Sequence, residues 1–183
     1  MTVRPCIPAD AEALRVLCLT ATRLRKRTEV ERLVITLSRC QYYLDCEPGH
    51  SFAAEGEHGE LAAAVLCAPN CVDYQRRFQE RFLPRCAPYG LSAAAEARHV
   101  GLLHQTVAGY YPAHCLFHLP DSQVNETFPL LLAALAGHLE ALECRGVCTF
   151  TEKKSPLPPL LTAAGFEPLR RQNGVLIWGK ELF

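Results

Sequence analysis

A long helical pattern separates two short apolar segments in the second half of the sequence. Its large apolar side chains recur every three or four residues, as they do on one face of a helix, at Phe128, Leu131, Leu132, Leu135, Leu139 and Leu142. The apolar segment before this helix, 113–119, ends at Pro120, and the segment after it, 147–150, follows the helix stop Arg145-Gly146. Both short segments are predicted β-strands. Alternation of strands with amphipathic helices favours a layered α/β domain.

The remaining sequence predicts further elements of both kinds. Thr28 and Glu31 form a capping box for a second helix. Gly56-Glu57-His58-Gly59 and Asn173-Gly174 are hairpin signals. Residues 91–106 show no clear period and are consistent with a helix or a mobile segment. Other strands are predicted at 2–7, 51–55, 61–66, 167–171 and 175–178, and other helices at 11–21, 28–44, 74–82 and 156–164. The result is one mixed α/β domain over 1–183.

Charge and composition exclude several classes of protein. Lys+Arg and Asp+Glu both number 19, and a nucleic-acid-binding protein usually has a basic excess. No apolar run reaches the length of about 18 residues that a membrane span needs. The N-terminus lacks the pattern of a signal peptide, so we expect a cytoplasmic protein whose ten cysteines are reduced.

The cysteine and histidine spacing suggests only fragments of a metal site. Cys67/Cys71, Cys144/Cys148 and His114/His118 each have the spacing of half a site. A structural zinc normally has four ligands at recognised spacings, so we expect no metal.

Several phrases of the sequence resemble one family in their order. The start, Val3-Arg4-Pro5 followed by residues 8–14, and the phrase Ala164-Gly165-Phe166-Glu167-Pro168 resemble the GNAT acyl-CoA-dependent N-acetyltransferases. The middle resembles the GNAT branch that includes the acetyltransferase-like domain of O-GlcNAcase, through Leu66-Cys67-Ala68-Pro69-Asn70, Phe82-Leu83-Pro84, Tyr89 and Tyr111-Pro112-Ala113-His114. Together these phrases extend over about residues 2–179.

The resemblance implies a fold and a reaction. The fold has a central mixed, mostly antiparallel sheet that splays after strand 113–119, with helices on both faces. The reaction is direct transfer of an acetyl or other acyl group from CoA to a primary amine on a small molecule or peptide. A homodimer is a further expectation.

The resemblance also implies where CoA binds. The family's Q/R-x-x-G-x-G/A loop, which holds the CoA pyrophosphate at a helix start, aligns with residues 123–128, and the preceding strand end falls at Leu119. Both glycine positions are lost, to Glu126 and Phe128, and Pro129 is expected to remove an N–H from the first turn. The implied CoA-binding residues are Leu119, Gln123, Val124, Asn125, Glu126, Thr127 and Phe128, with weak binding expected. The alternative is an ordinary helix start capped by Asn125.

Two histidines on strand 113–119 are the candidate catalytic residues. Alignment on Tyr111-Pro112 places His118 where the related branch has an acid, whereas alignment on Pro120 places Phe117 there. His114 lies on the same face of the strand by its period of two, and the unperturbed pKa of histidine suits a general base.

One further departure from the family leaves other functions open. Leu161 falls where many GNAT enzymes have a tyrosine acid. An inactive GNAT-like binding or regulatory module, and an acyl-CoA sensor, are therefore alternatives to an enzyme.

Overall fold

Seven strands form one sheet in the order β1-β2-β3-β4-β5-β7-β6. The computed structural model describes residues 1–21, 28–90, 103–172 and 174–183. Neighbouring strands are antiparallel except β4 and β5, which are parallel. The strands are β1 Thr2–Pro5, β2 Phe52–Glu55, β3 Leu61–Ala68, β4 Ala113–His118, β5 Gly146–Thr151, β6 Glu167–Gln172 and β7 Val175–Glu181.

The helices of the described residues include two with a wider turn in their course. The segment Leu37–Gln41 is π-helical and joins α2 to α3, and Phe78–Phe82 joins α4 to α5 in the same way. The helices are α1 Ala11–Ala21, α2 Glu29–Thr36, α3 Tyr42–Cys46, α4 Cys71–Arg77, α5 Leu83–Cys86, α6 Val124–Ala141 and α7 Leu157–Ala163. Short 3-10 turns lie at Pro8–Asp10, Ala87–Tyr89 and Leu103–Thr106.

Several local predictions are confirmed. The Thr28 N–H donates to the Glu31 carboxylate at 2.7 Å, and the Glu31 N–H donates to the Thr28 hydroxyl at 3.2 Å, which completes the capping box. Both predicted hairpins form, β2–β3 and β6–β7. Segments 22–27 and 91–102 lie outside the described residues, as does Asn173, so most of the segment 91–106 is not described. No described helix combines the length and apolarity needed to cross a bilayer.

The sheet separates two cores because side chains alternate along each strand. On β3, Ala64, Leu66 and Ala68 pack into the core beneath α1–α5. The intervening side chains of β3, from Ala63 to Cys67, pack into the core beneath α6 and α7. The predicted arrangement, with helices on both faces of a mostly antiparallel sheet, is therefore confirmed.

The sheet splays between its two parallel strands. Only two residue pairs join β4 to β5, Ala113 with Val147 and His114 with Cys148. The Thr149 hydroxyl then donates to the Cys115 carbonyl at 2.9 Å. A side-chain hydrogen bond therefore stands where the next backbone hydrogen bond between β4 and β5 would be. Beyond this point β4 continues to pair with β3 as far as His118. The predicted splay is confirmed.

Candidate active site

A cleft of about 440 Å³ opens where β4 and β5 diverge. Its walls come from the end of β4, the start of α6, the end of β5 with the loop that follows, and one arginine of the π-helical segment. The lining residues are Arg39, Leu116, Phe117, His118, Leu119, Asp121, Val124, Phe150, Thr151, Glu152, Lys153, Lys154, Ser155, Pro156 and Leu157.

The backbone of β4 directs a hydrogen-bond donor into this cleft. The Cys115 carbonyl points towards β5, because it accepts the Thr149 hydroxyl. The N–H and C=O of one strand residue point to the same side, and this direction repeats every two residues, so the Phe117 N–H also points to the β5 side. The two strands no longer pair at that level, which leaves this donor facing the cleft. The role of the Phe117 N–H could not be predicted from the sequence, because a strand pattern does not show where pairing stops.

His118 lines the cleft at the end of β4, although its side chain is only 3 % exposed. Burial, reinforced by the charge of Arg39, lowers its pKa to about 4, so the ring is neutral at pH 7. Its Nε2 lies 3.1 Å from the Arg39 carbonyl. Because a carbonyl only accepts, Nε2 carries the hydrogen and Nδ1 holds the free electron pair.

His114 lies outside the cleft lining. Its Nε2 lies 2.7 Å from the Tyr43 hydroxyl, its Nδ1 lies 3.6 Å from Cys71 Sγ, and its ring stacks on His104 at 3.9 Å. Burial and the neighbouring His104 hold its pKa well below its usual value. The structure therefore brings the two predicted histidines onto one strand face but not into one site.

Arg39 closes one side of the cleft. Its Nη2 donates to Glu152 Oε1 at 2.6 Å, and its guanidinium lies 5.6 Å from the centre of the Phe150 ring. Its Nε is buried without a partner. Arg39 could not be predicted from the sequence, because Arg39 and Glu152 are 113 positions apart and neither belongs to a motif.

The start of α6 borders the cleft through Val124, and Leu119 lines the wall just before it. The side chains of Asn125 and Glu126 are exposed, whereas Thr127 is buried and its hydroxyl donates to the Gln123 carbonyl at 2.7 Å. The Oε1 atom of Gln123 is buried without a partner.

Three details of this helix start differ from expectation. Gln123 occupies the N-cap position, so Asn125 is not the cap. Pro129 is the sixth residue of α6, so the N–H that it lacks would have bonded Asn125 within the helix and is not a free first-turn donor. The Phe128 ring lies in the core, 5.0 Å from the Phe117 ring, so its bulk is directed away from the helix surface.

The tyrosine position of the family has no counterpart in the cleft. Leu161 on α7 is fully buried in the core beneath α6 and α7. Among the described residues, the cleft lining contains no tyrosine.

Comparison with known proteins identifies the fold. No family model matches the sequence, and no curated protein matches it. Among solved structures, the chain is similar to SsHAT, with a TM-score of 0.87 and 17 % identity over 100 % of this chain and 98 % of that one. It is also similar to an agmatine N-acetyltransferase, with a TM-score of 0.68 and 14 % identity over 98 % of each chain. An acetyltransferase of the GNAT family from Listeria monocytogenes follows, with a TM-score of 0.56 and 12 % identity over 98 % of this chain and 94 % of that one.

The chain has a GNAT fold. The similarity covers 94–98 % of the length of these structures, which agrees with the order of elements that the sequence predicted. In this GNAT fold the cleft at the β4–β5 splay is the candidate active site. The finer resemblance to the branch of O-GlcNAcase stays a prediction.

Proposed function

We propose that this chain transfers an acyl group from an acyl-CoA to a primary amine in the cleft between β4 and β5. The observation that supports this most directly is the splay itself, which leaves the Phe117 N–H facing the cleft beside a neutral histidine. A backbone donor held in this way stabilises the negative charge that develops on a thioester oxygen under attack.

The proposed reaction is a direct displacement. The amine nitrogen attacks the thioester carbon, the new C–N bond forms, and the C–S bond breaks to release CoA thiolate. The amine must lose a proton, and Nδ1 of His118 accepts it directly or through one water. Because the pKa of His118 is only about 4, the base accepts a proton weakly, and positioning of the two substrates carries most of the catalysis.

The charges around the cleft support an anionic ligand. Arg39, Lys153 and Lys154 line it, opposed by Asp121 and Glu152. The buried, unpartnered Nε of Arg39 is a donor that a ligand would satisfy. The start of α6 offers its first-turn N–H groups to a pyrophosphate, and the exposed Glu126 beside them weakens that attraction. We therefore propose CoA binding of low affinity at residues 119 and 123–128.

A small cationic amine is the proposed acceptor. The similarity to an agmatine N-acetyltransferase supports a compact amine rather than a protein chain. Binding of acyl-CoA without transfer is the second candidate. The absence of tyrosine from the described cleft lining and the low pKa of His118 favour it, since both reduce acid–base catalysis.

A cleft-filling variant tests the proposal. Ser155 lines the cleft, and its hydroxyl accepts the Leu157 N–H at 3.2 Å. Ser155→Trp fills the cleft and removes this bond, whereas the matched control Ser155→Ala removes only the bond. Calorimetry with acetyl-CoA should show binding to wild type and Ser155→Ala and its loss in Ser155→Trp. Equal binding by both variants would place CoA elsewhere.

A screen of amines then separates the two candidate functions. The screen measures release of CoA thiol with agmatine, polyamines and arylalkylamines in the presence of acetyl-CoA. Release that Ser155→Trp abolishes supports transfer. Binding of acetyl-CoA with no release across the panel supports the second candidate.

A further inference from the structure

Three metal-binding side chains meet beneath α4, away from the cleft. The ligand atoms of Cys71, His104 and His114 all lie within 4.8 Å of one another, and all three residues are buried. They come from three separate elements: the first residue of α4, the 3-10 turn Leu103–Thr106, and β4. The distance from Cys71 Sγ to His114 Nδ1 is 3.6 Å. Two such ligands of a tetrahedral zinc lie about 3.5 Å apart, given the usual Zn–S and Zn–N bond lengths.

One of these side chains lacks a partner that its burial requires. His104 is 4 % exposed, and its Nε2 makes no hydrogen bond. Leaving a buried polar atom unsatisfied costs about 1–3 kcal/mol, so native structures rarely contain one without a reason. A metal ion bound to Nε2 would remove this deficit.

Cys148, on the neighbouring strand, is the candidate fourth ligand, although it lies outside the group whose ligand atoms are all within 4.8 Å. Its register partner on β4 is His114, so the two side chains lie side by side on the same face of the sheet. A void smaller than a water molecule lies against His104, His114 and Cys148. The void borders three of the four candidate ligands, and Cys71 lies outside its lining.

We propose that Cys71, His104, His114 and Cys148 form a tetrahedral Cys₂His₂ zinc site. Four protein ligands leave no position open for substrate, so the site is structural. It joins α4, the 103–106 turn, β4 and β5 at the level where the two parallel strands still pair. The ion would hold the two strands together at the base of the splay. Because the rings of His104 and His114 are stacked with an angle of 4°, His104 must tilt on binding to direct Nε2 at the ion.

Tyr43 provides the outer contact that zinc-binding histidines usually have. Its hydroxyl lies 2.7 Å from Nε2 of His114, the ring nitrogen that faces away from Cys71. Such a contact fixes which nitrogen carries the hydrogen and orients the other towards the metal.

Metal substitution tests the site directly. The full chain is unfolded, stripped of metal with a chelator and refolded without oxygen in the presence of Co²⁺. We expect about one Co²⁺ per chain, with the strong visible absorption of tetrahedral cobalt and thiolate-to-cobalt charge transfer in the near ultraviolet. Zn²⁺ should displace the cobalt and remove both signals. Wild-type protein that refolds without these signals overturns the proposal, as does a Cys71–Cys148 disulfide found in protein purified without reductant.

Variants then assign the ligands. Cys71→Ala, His104→Ala and Cys148→Ala should each lose the tetrahedral signal. Cys115→Ala should keep it, because Cys115 is buried on the same strand as His114 but packs in the opposite core. Tyr43→Phe should keep the signal and weaken Co²⁺ affinity by about 10–100-fold. Unchanged affinity in a folded Cys71→Ala or Cys148→Ala protein assigns the ion elsewhere. Since the signal from wild-type protein needs no variant, misfolding of one variant does not remove the test.

Discussion

His114 and His118 lie on the same face of one strand, four residues apart, yet their surroundings differ. At His114 the strand still pairs with β5, and the ring is enclosed by Tyr43, Cys71 and His104. At His118 the pairing with β5 has ended, and the ring borders the cleft. Both rings are buried and neutral. Position relative to the splay, rather than residue type or burial, therefore distinguishes the ring that we propose for chemistry from the ring that we propose for a metal site.

The largest expected effect is the loss of turnover when His118, the histidine at the cleft, is replaced. His118→Ala should reduce kcat by about 10²–10⁴-fold with the amine acceptor found by the screen, because a positioned general base contributes that much. The affinity for acetyl-CoA should change little. Steady-state kinetics and calorimetry measure the two quantities, with His58→Ala, an exposed histidine of the β2–β3 turn, as the control. Full activity in His118→Ala would favour the alignment that places Phe117 in the acid's position.

The pH dependence of stability should carry a contribution from His118. Its pKa is about 4 in the folded chain and about 6.5 when unfolded, so the unfolded chain binds more protons between these values. The contribution to the free energy of unfolding is therefore complete above pH 6.5 and is lost as pH falls towards 4, by up to about 3 kcal/mol.

Urea unfolding of wild type and His118→Gln at several pH values tests this dependence. Glutamine keeps a donor for the Arg39 carbonyl but does not titrate. The wild-type curve should fall more steeply below pH 6.5 than the variant curve. Parallel curves would mean that the ring is protonated or hydrated in the folded chain.

A smaller effect is expected on the free energy of unfolding when His114, the histidine outside the cleft, is replaced. His114→Phe keeps an aromatic ring but leaves the Tyr43 hydroxyl without its nitrogen partner. In the presence of a chelator, the free energy of unfolding should fall by about 1–3 kcal/mol. Acetyl-CoA affinity should not change. A His114→Phe protein of unchanged stability that has lost acetyl-CoA binding would assign His114 to the cleft and remove the distinction between the two rings.

The smallest effect is expected at the start of α6. Glu126 is exposed in the first turn, so Glu126→Gln removes a carboxylate from the proposed pyrophosphate site without changing the core. Acetyl-CoA affinity should rise by about two- to fivefold, the effect of one charge of about 0.3–1 kcal/mol at a helix terminus. Glu140→Gln, an exposed position near the other end of the same helix, should leave it unchanged. Equal affinity in both variants would place the pyrophosphate away from this turn.

Local patterns predicted most of the elements. The three- to four-residue spacing of α6, the Thr28–Glu31 capping box and the two hairpins depend on neighbouring residues, and the structure contains each of them. The sequence misplaced a helix start where one local pattern is compatible with two N-cap positions. Asn125 is a good N-cap residue, but the N-cap is Gln123 and α6 begins two residues earlier than an Asn125 cap would allow, with Val124 and Phe128 both in the core.

The sequence by itself determined the elements, their order, the two-sided sheet and the face of β4 that carries both histidines, because these follow from periods of two and of three to four residues. Only the tertiary structure decided where β4 leaves β5, and hence which histidine meets the cleft. It also brought Arg39 to Glu152 and placed Cys71 and His104 beside His114 and Cys148. These contacts join residues tens of positions apart. The cause is packing between elements, and no local spacing records it.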